Sequence, residues 1–327
     1  MKVVIGHDTS CYTTSVAAVT LEGDLIGQYR QVLSVDQGER GLQQSKGVFQ
    51  HIHHIPSLIQ EAVAEICPQD IVAVCVSSKP RPIENSYMPV FTVGVNIARV
   101  TSFLLNIPLY MCSHQEGHIM VGLWSAGGPL QSEFLAIHLS GGTTEIVKVR
   151  RGEMGMDIQL LGGTLDLHAG QFVDRIGVAL RLPFPAGPSL EKLARTALTR
   201  GKPLSSWVKG TSCSFSGAES QAQRYIKEGM KGEEVALETF LCIARTIVKM
   251  IKNAWKETGL NHILLVGGVA SNQIIREYLV THLKKEAANI QVFFSAPQFS
   301  TDNAVGVALL GVQAYKAVES GQQFSDG

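Results

Sequence analysis

Lys2-Val3-Val4-Ile5-Gly6-His7-Asp8-Thr9-Ser10, with a second β-rich run over residues 15–20, reads as a strand, a tight turn bearing glycine and hydroxyls, and a returning strand. The same grammar recurs far downstream. Residues 134–139 are β-rich, Ser140-Gly141-Gly142-Thr143-Thr144 makes the turn, and residues 146–149 return. In such turns small residues let backbone N–H groups come close to an anion, and hydroxyls add donors. A single Ser-Gly-Gly between strands is ordinarily a plain hairpin. Two such units, each opening one half of the chain, predict two related lobes that clasp a nucleotide. A third turn, Gly267-Gly268-Val269-Ala270-Ser271-Asn272, follows a strand over residues 262–266 and opens a helix through Ile275, Tyr278 and Leu279, a setting suited to phosphate.

Helical stretches over residues 57–65, 91–105, 171–180 and 234–258 alternate with strands, which indicates α/β architecture. The expected fold is two-lobed, of the actin, Hsp70 and sugar-kinase kind, with a duplicated mixed-sheet domain. Residues 1–130 and 298–327 are expected to form one lobe and 131–297 the other, with nucleotide and metal in the cleft. A length of 327 residues agrees with two domains, and 45% apolar against 17% charged residues favours burial over disorder. Lys plus Arg and Asp plus Glu both number 28, so bulk electrostatic coating of nucleic acid is excluded. A local basic patch is not; Lys148, Arg150 and Arg151, or Arg195, Arg200 and Lys202, are candidates. The six cysteines show no C-x-x-C pair, which argues against a structural zinc knot and for a reducing compartment. With no leader pattern and no apolar run near the ~20 residues that span a bilayer, a cytoplasmic protein with no membrane partner is expected.

His114-Gln115-Glu116-Gly117-His118 spaces two imidazoles at i and i+4, on one face if the segment is helical. Two neutral imidazoles can chelate zinc or ferrous iron, although pairs at this spacing are commonly surface or core features. A metalloprotease needs its general base directly after the first histidine. Gln115 stands there, and Glu116 is about 100° further round the helix, so that reading fails. Asp302, in Ser300-Thr301-Asp302-Asn303, reads either as the N-cap of a helix over residues 304–314 or as a third ligand. His51, His53 and His54 read as a polar loop ahead of a helix beginning at residue 57.

Together these motifs resemble the threonylcarbamoyl-adenosine synthase family of tRNA-modifying enzymes, in order and over nearly the whole chain. Gly6-His7-Asp8-Thr9-Ser10-Cys11 resembles its G-I-E-T-S-C, and His114-x-x-x-His118 its metal-binding histidine pair. Leu139-Ser140-Gly141-Gly142-Thr143-Thr144 is similar to V-S-G-G-H-T. Thr164-Leu165-Asp166 with Ala169, Gly170 and Asp174 resembles T-L-D-D-A-x-G-E-A-F-D. Pro185-Ala186-Gly187-Pro188, Ser214-Phe215-Ser216-Gly217, Gly267 to Asn272 and Thr301-Asp302-Asn303 resemble P-G-G-P, F-S-F-S-G, G-G-V-A-A-N and T-D-N. The resemblance implies His114, His118 and Asp302 as ligands of one divalent metal, iron or zinc. It implies that Leu139, Ser140, Gly141, Gly142 and Thr143 cradle the phosphate end of an adenylate (threonylcarbamoyl-AMP, or AMP or ATP). Asp174, Gly187 and Asn272 would hold its ribose and adenine. The implied partners are tRNA, a synthase that supplies threonylcarbamoyl-adenylate, and an accessory protein. The implied reaction carries the threonylcarbamoyl group to N6 of the adenosine beside the anticodon.

Asp8, Tyr12 and Thr13 are the candidates for the reaction centre. After the cysteine the family has an acidic pair where this chain has Tyr12 and Thr13, and neither replaces a carboxylate base at neutral pH. Gln171 replaces a glutamate, Leu167 an aspartate, and Lys79-Pro80-Arg81-Pro82 a glycine-rich turn. These departures leave two alternatives: a non-catalytic nucleotide- and metal-binding paralogue, or an ATP-dependent small-molecule kinase with Asp8 as its acid.

Overall fold

The computed structural model describes residues 1–10, 12–35, 42–286 and 289–325, so Cys11 lies outside the described residues. The chain forms two compact units. The first comprises Met1–Ser125, Arg151–Asp157 and Thr301–Gly327, the second Ala126–Arg150 and Ile158–Ser300.

The first unit begins with β1 (Val3–Asp8), β2 (Thr13–Thr20), β3 (Leu25–Val32) and α1 (Gln44–Val63). It continues with β4 (Ile71–Lys79), α2 (Phe91–Leu105), β5 (Leu109–Ser113) and α3 (His114–Ala126). Its sheet runs β3-β2-β1-β4-β5, antiparallel across β1, β2 and β3 and parallel across β1, β4 and β5. The second unit holds β6 (Glu133–Leu139), β7 (Thr144–Arg151), β8 (Met156–Gly163), α4 (Ala169–Ala179) and α5 (Gly187–Ala194). Then come β9 (Trp207–Lys209), β10 (Ser212–Ser214), α6 (Ser216–Lys227), α7 (Gly232–Thr258), β11 (His262–Val266), α8 (Gln273–Glu286) and β12 (Gln291–Phe294). Its main sheet runs β12-β11-β6-β7-β8, and β9 and β10 pair separately. Counted within each unit, both main sheets have the order third, second, first, fourth, fifth. The two strand–turn–strand stretches are therefore the starts of two copies of one topology. Finally α9 (Val305–Ser325) returns the chain to the first unit.

β1 and β2 are buried along their whole length, as sheets covered on both faces require. Val3, Ile5, Val16 and Ala18 pack with Ile55 and Leu58 of α1 and Val93 of α2. On the other face α9 lies against β1, β2 and β4. A Cβ at Gly6 would come within 2.6 Å of the Ala304 carbonyl and the Ala308 nitrogen, so this strand-to-helix approach requires glycine. β1 runs on through Asp8, paired to Ser15, which makes the first turn shorter than the sequence suggests.

α1 corrects the loop assigned to the histidines. It begins at Gln44 and carries Pro56 in its interior. Its buried positions Gly47, His51, Ile55, Leu58 and Ala62 keep one helical stripe across the proline. His51 is fully buried, with Nδ1 2.8 Å from the Thr14 hydroxyl. His7, on β1, is buried with neither ring nitrogen hydrogen-bonded.

Burial pushes both imidazoles down to about 4; for His51 the nearby Asp8 opposes the shift and His54 adds to it. Unfolded histidine protonates near pH 6.5, so between about 6.5 and 4 the unfolded chain binds more protons than the folded one. Stability is thus expected to fall as pH drops through that window. His7 accounts for ~3 kcal/mol and His51 acts in the same direction. Urea unfolding at pH 7 and pH 4.5 checks this: His7→Ile should flatten the acid loss, and an unchanged pH profile would refute the assignment. Among the described residues no helix is long and apolar enough to cross a membrane.

Candidate active site

In the first unit, parallel β1, β4 and β5 deliver Asp8, Ser77 and Ser113 to their carboxyl ends, where ligand sites of open α/β sheets form. The helix α3 starts directly after β5 through a reciprocal capping box. The Ser113 hydroxyl accepts from the Glu116 N–H at 3.2 Å, and Glu116 Oε2 accepts from the Ser113 N–H at 2.7 Å. Glu116 Oε1 accepts from the Met156 N–H at 3.1 Å, which ties the segment Arg151–Asp157 to this helix start. Its carboxylate is therefore occupied structurally and is no general base.

The box fixes the first turn of α3, and His114 and His118 project from one face. Asp302 is brought to them by α9, because α3 and α9 cross at two glycines. A methyl on Gly306 would overlap the Gly117 carbonyl, and one on Gly117 would press on Val307. Asp302 does not cap α9. Asn303 does so, its Oδ1 accepting from the Val305 N–H at 3.1 Å.

His118 Nε2 lies 3.0 Å from His114 Nε2 and 3.3 Å from Asp302 Oδ1, and His114 Nε2 lies 3.6 Å from the same oxygen. Donors about 2.1 Å from one ion at angles of about 90–120° are separated by ~3.0–3.6 Å, so this His₂Asp set fits a single divalent ion. One face of three ligands leaves positions open for substrate oxygens. Among the described residues this is the one His/Cys/Asp/Glu group that fits a metal in this way.

Asp8 is buried behind the trio. It accepts from the Ser10 N–H and hydroxyl at 3.1 and 3.0 Å and from the Ser77 hydroxyl at 2.5 Å. Its Oδ2 lies 3.0 Å from His114 Nδ1, which commits that nitrogen and leaves Nε2 for the ion. Burial alone would push His114 down, but the Asp8 and Asp302 carboxylates outweigh it and hold the imidazole well above its ordinary value. Burial would likewise push Asp302 up; hydrogen bonds and charge from His114 and His118 hold it well below the usual carboxylate range. Of the other two reaction-centre candidates, Tyr12 is 44% exposed and Thr13 is buried at the start of β2.

In the second unit the nucleotide candidates gather where parallel β6 and β11 end, at Leu139 and Val266. The Ser140–Thr143 turn is closed by the Ser140 N–H donating to the Thr143 carbonyl at 2.8 Å. A Cβ on Gly141 or Gly142 would meet nothing within 4 Å, so the backbone there faces open space. The start of α4 abuts this turn: the Gly170 N–H donates to the Ser140 carbonyl at 3.1 Å, and a Cβ on Gly170 would strike Gly141. Gly267, at φ +99°, presses on the Leu139 carbonyl, where a side chain would overlap. Leu139 itself is buried in the core and can offer only backbone.

Asp174 Oδ1 accepts from the Ala186 N–H at 2.8 Å, next to Gly187; burial pushes its carboxyl up against that bond. Asn272 Oδ1 caps α8 through the Ile275 N–H at 3.0 Å, so only its NH₂ can face a ligand. Gln171 still closes the start of α4, its Oε1 accepting from the His168 N–H at 3.1 Å, so this departure from glutamate keeps the cap.

Sequence reasoning passed over Asp166 as a site residue. It accepts from the hydroxyls of Ser214 and Ser216 at 2.5 Å and from the Phe215 and Leu167 N–H groups at 2.9 and 2.6 Å. Burial would raise its carboxyl, but these bonds outweigh it and hold the group far below the usual range. The signal was present in the paired serines of Ser214-Phe215-Ser216.

The family model for tRNA N6-adenosine threonylcarbamoyltransferase matches residues 42–309. The chain belongs to this family. A tRNA N6-adenosine threonylcarbamoyltransferase of Carboxydothermus hydrogenoformans is 30% identical over 324 residues, covering 96% of this chain and 92% of its own length. Solved structures show the shared fold. The (R)-2-hydroxyglutaryl-CoA dehydratase component A of Acidaminococcus fermentans aligns with a TM-score of 0.58 at 14% identity over 97% of this chain and 100% of that one. A ROK-family glucokinase of Streptomyces griseus, in complex with glucose and AMPPNP, gives 0.56 at 13% identity over 95% and 99%. This family member therefore shares the two-sheet α/β fold of that dehydratase component and that glucokinase.

Proposed function

We propose that the chain transfers the threonylcarbamoyl group from threonylcarbamoyl-adenylate to N6 of the adenosine beside the anticodon, in tRNAs that read A-starting codons. The observation that carries the reading is the His114, His118 and Asp302 trio in a chain matched by the transferase family over residues 42–309. A divalent ion held there supplies Lewis-acid polarisation and orientation of substrate oxygens. Asp8 orients His114. The Ser140–Thr143 turn and the start of α4 hold phosphate through backbone N–H groups and the helix dipole. Asp174, Gly187 and the Asn272 amide hold the ribose and adenine. The N6 amine forms a bond to the carbamoyl carbon and gives up one proton to solvent, the bond from that carbon to the phosphate oxygen breaks, and AMP leaves. A separate synthase supplies the adenylate, a family-type accessory protein assists, and the tRNA substrate places the reaction in the cytoplasm.

The kinase reading loses its acid, because Asp8 spends its oxygens on Ser10, Ser77 and His114. A second reading, an adenylate-binding paralogue without transfer, is favoured by Tyr12 and Thr13. The test combines purified protein, pre-formed threonylcarbamoyl-adenylate and unmodified tRNA, read by nucleoside mass spectrometry. Modified adenosine above a no-protein control supports transfer; none, with AMP still bound, leaves the second reading. Restoring the pair as Tyr12→Asp with Thr13→Glu should raise the rate on the order of 100-fold, the contribution of a positioned general base. No change would mean that these positions do not serve the proton transfer.

A further inference from the structure

The zero net charge of the chain is an average of two opposite halves. The second unit carries 19 Lys and Arg against 13 Asp and Glu, and the first carries 9 against 15. We propose that the second unit binds the phosphate backbone of RNA on the face formed by the β9–β10 hairpin and the C-terminal half of α7. The inference rests on the tRNA reading above and adds the surface that holds the acceptor.

The basic clusters that stand out in the sequence are largely neutralised in the fold. Lys148 pairs with Glu133 at 3.2 Å, Arg195 with Glu191 and Glu277 at 3.5 and 3.7 Å, and Arg200 with Glu238 at 3.7 Å. On α7, Lys249 and Lys256 stand at i and i+7, which places them on one helix face. The hairpin is tied along that face: Lys249 Nζ donates to the Ser206 carbonyl at 2.9 Å, and Asn253 Nδ2 to the Gly210 carbonyl at 2.6 Å.

On the hairpin, Trp207 and Lys209 are two apart in one strand and so share a side. Trp207 is 45% exposed and Lys209, Lys249 and Lys256 are exposed. Among the described residues no ion pair joins Lys209, Lys249 or Lys256 to a carboxylate. Cations spaced along a helix with an accessible indole beside them suit a polyanion that also carries stacking bases, which an acidic peptide does not. The hairpin also connects to the nucleotide end of this unit. Its second strand leads into Ser214-Phe215-Ser216, held by Asp166, and Cys213 bridges to Thr164, whose N–H donates to the Thr144 carbonyl at 2.9 Å.

The test uses the full chain and a fluorescent unmodified tRNA transcript, titrated at several salt concentrations. The triple variant Lys209→Gln, Lys249→Gln, Lys256→Gln should weaken binding at least ~10-fold and lower the slope of log K against log salt by about one per lysine. Trp207→Ala should weaken binding and leave that slope unchanged, since stacking releases no counterions. AMP binding by calorimetry should be unaltered in both, showing intact folding. A triple variant that binds tRNA like the parent overturns this surface and leaves the transferase reading standing. A parent chain that binds no tRNA overturns both. Displacement of tRNA by polyglutamate as readily as by unrelated RNA would assign the face to an acidic protein and overturn the proposal.

Discussion

A His118→Ala variant should purify without its divalent metal, with affinity lowered more than about 100-fold. Loss of an outer-shell partner alone typically costs 10–100-fold, and His118 is one of three donors whose nearest atoms lie 3.0–3.6 Å apart. The two remaining donors cannot enclose one face of an ion. His118 sits beyond the capping box that starts α3, so its removal spares the helix start, and the variant should fold. Elemental analysis after dialysis against free metal reads the result, with His53→Ala on the exposed side of α1 as the control. Equal metal content in His118→Ala and the parent would sink the site.

Gly306→Ala should be the most damaging single methyl in the first unit. The added carbon would overlap the Gly117 carbonyl and come within 2.9 Å of the Val121 nitrogen, so two helix backbones have to separate. Overpacking of this kind costs ~3 kcal/mol, equivalent to a fall in Tm of roughly 8 °C for a unit of this size. The separation also carries Asp302 away from the histidines, so metal affinity should fall together with Tm. Gly141→Ala is the contrasting case. Its new methyl meets nothing within 4 Å, and stability should stay within about 0.5 kcal/mol of the parent. A Gly306→Ala protein with the parent's Tm would mean that the two helices do not cross this closely.

The strands, the three glycine turns and the helices over residues 91–105 and 234–258 were legible because apolar periodicity and turn chemistry agree there. Where a local signal competed with tertiary context, the reading slipped. Pro56 and three histidines looked like a loop before a helix, yet the buried stripe from Gly47 to Ala62 carries α1 straight through them. Asp302 and Asn303 are both good N-caps on paper, and only the fold shows that Asn303 takes the cap while Asp302 turns to the histidines. No spacing rule links His118 to a residue 184 positions away; that proximity depends on two glycines at a helix crossing. Asp8 looked like a reaction-centre carboxylate, and its burial against Ser77 and His114 could not be read from its neighbours in sequence. The α7 face was hidden for another reason, since Lys249 and Lys256, about two turns apart, do not register as a cluster in a chain of balanced charge.

The return of α9 to the first unit sets an order on biosynthesis. The sheet of that unit and both histidines leave the ribosome early, whereas Asp302 and the helix that covers β1 and β4 come after the whole second unit. A nascent chain shorter than 302 residues therefore has an uncovered strand face around Val4, Gly6 and Cys75 and two imidazoles without their third donor. The three-donor set thus assembles only once synthesis has passed residue 302: an interrupted product can carry every glycine turn and still lack Asp302.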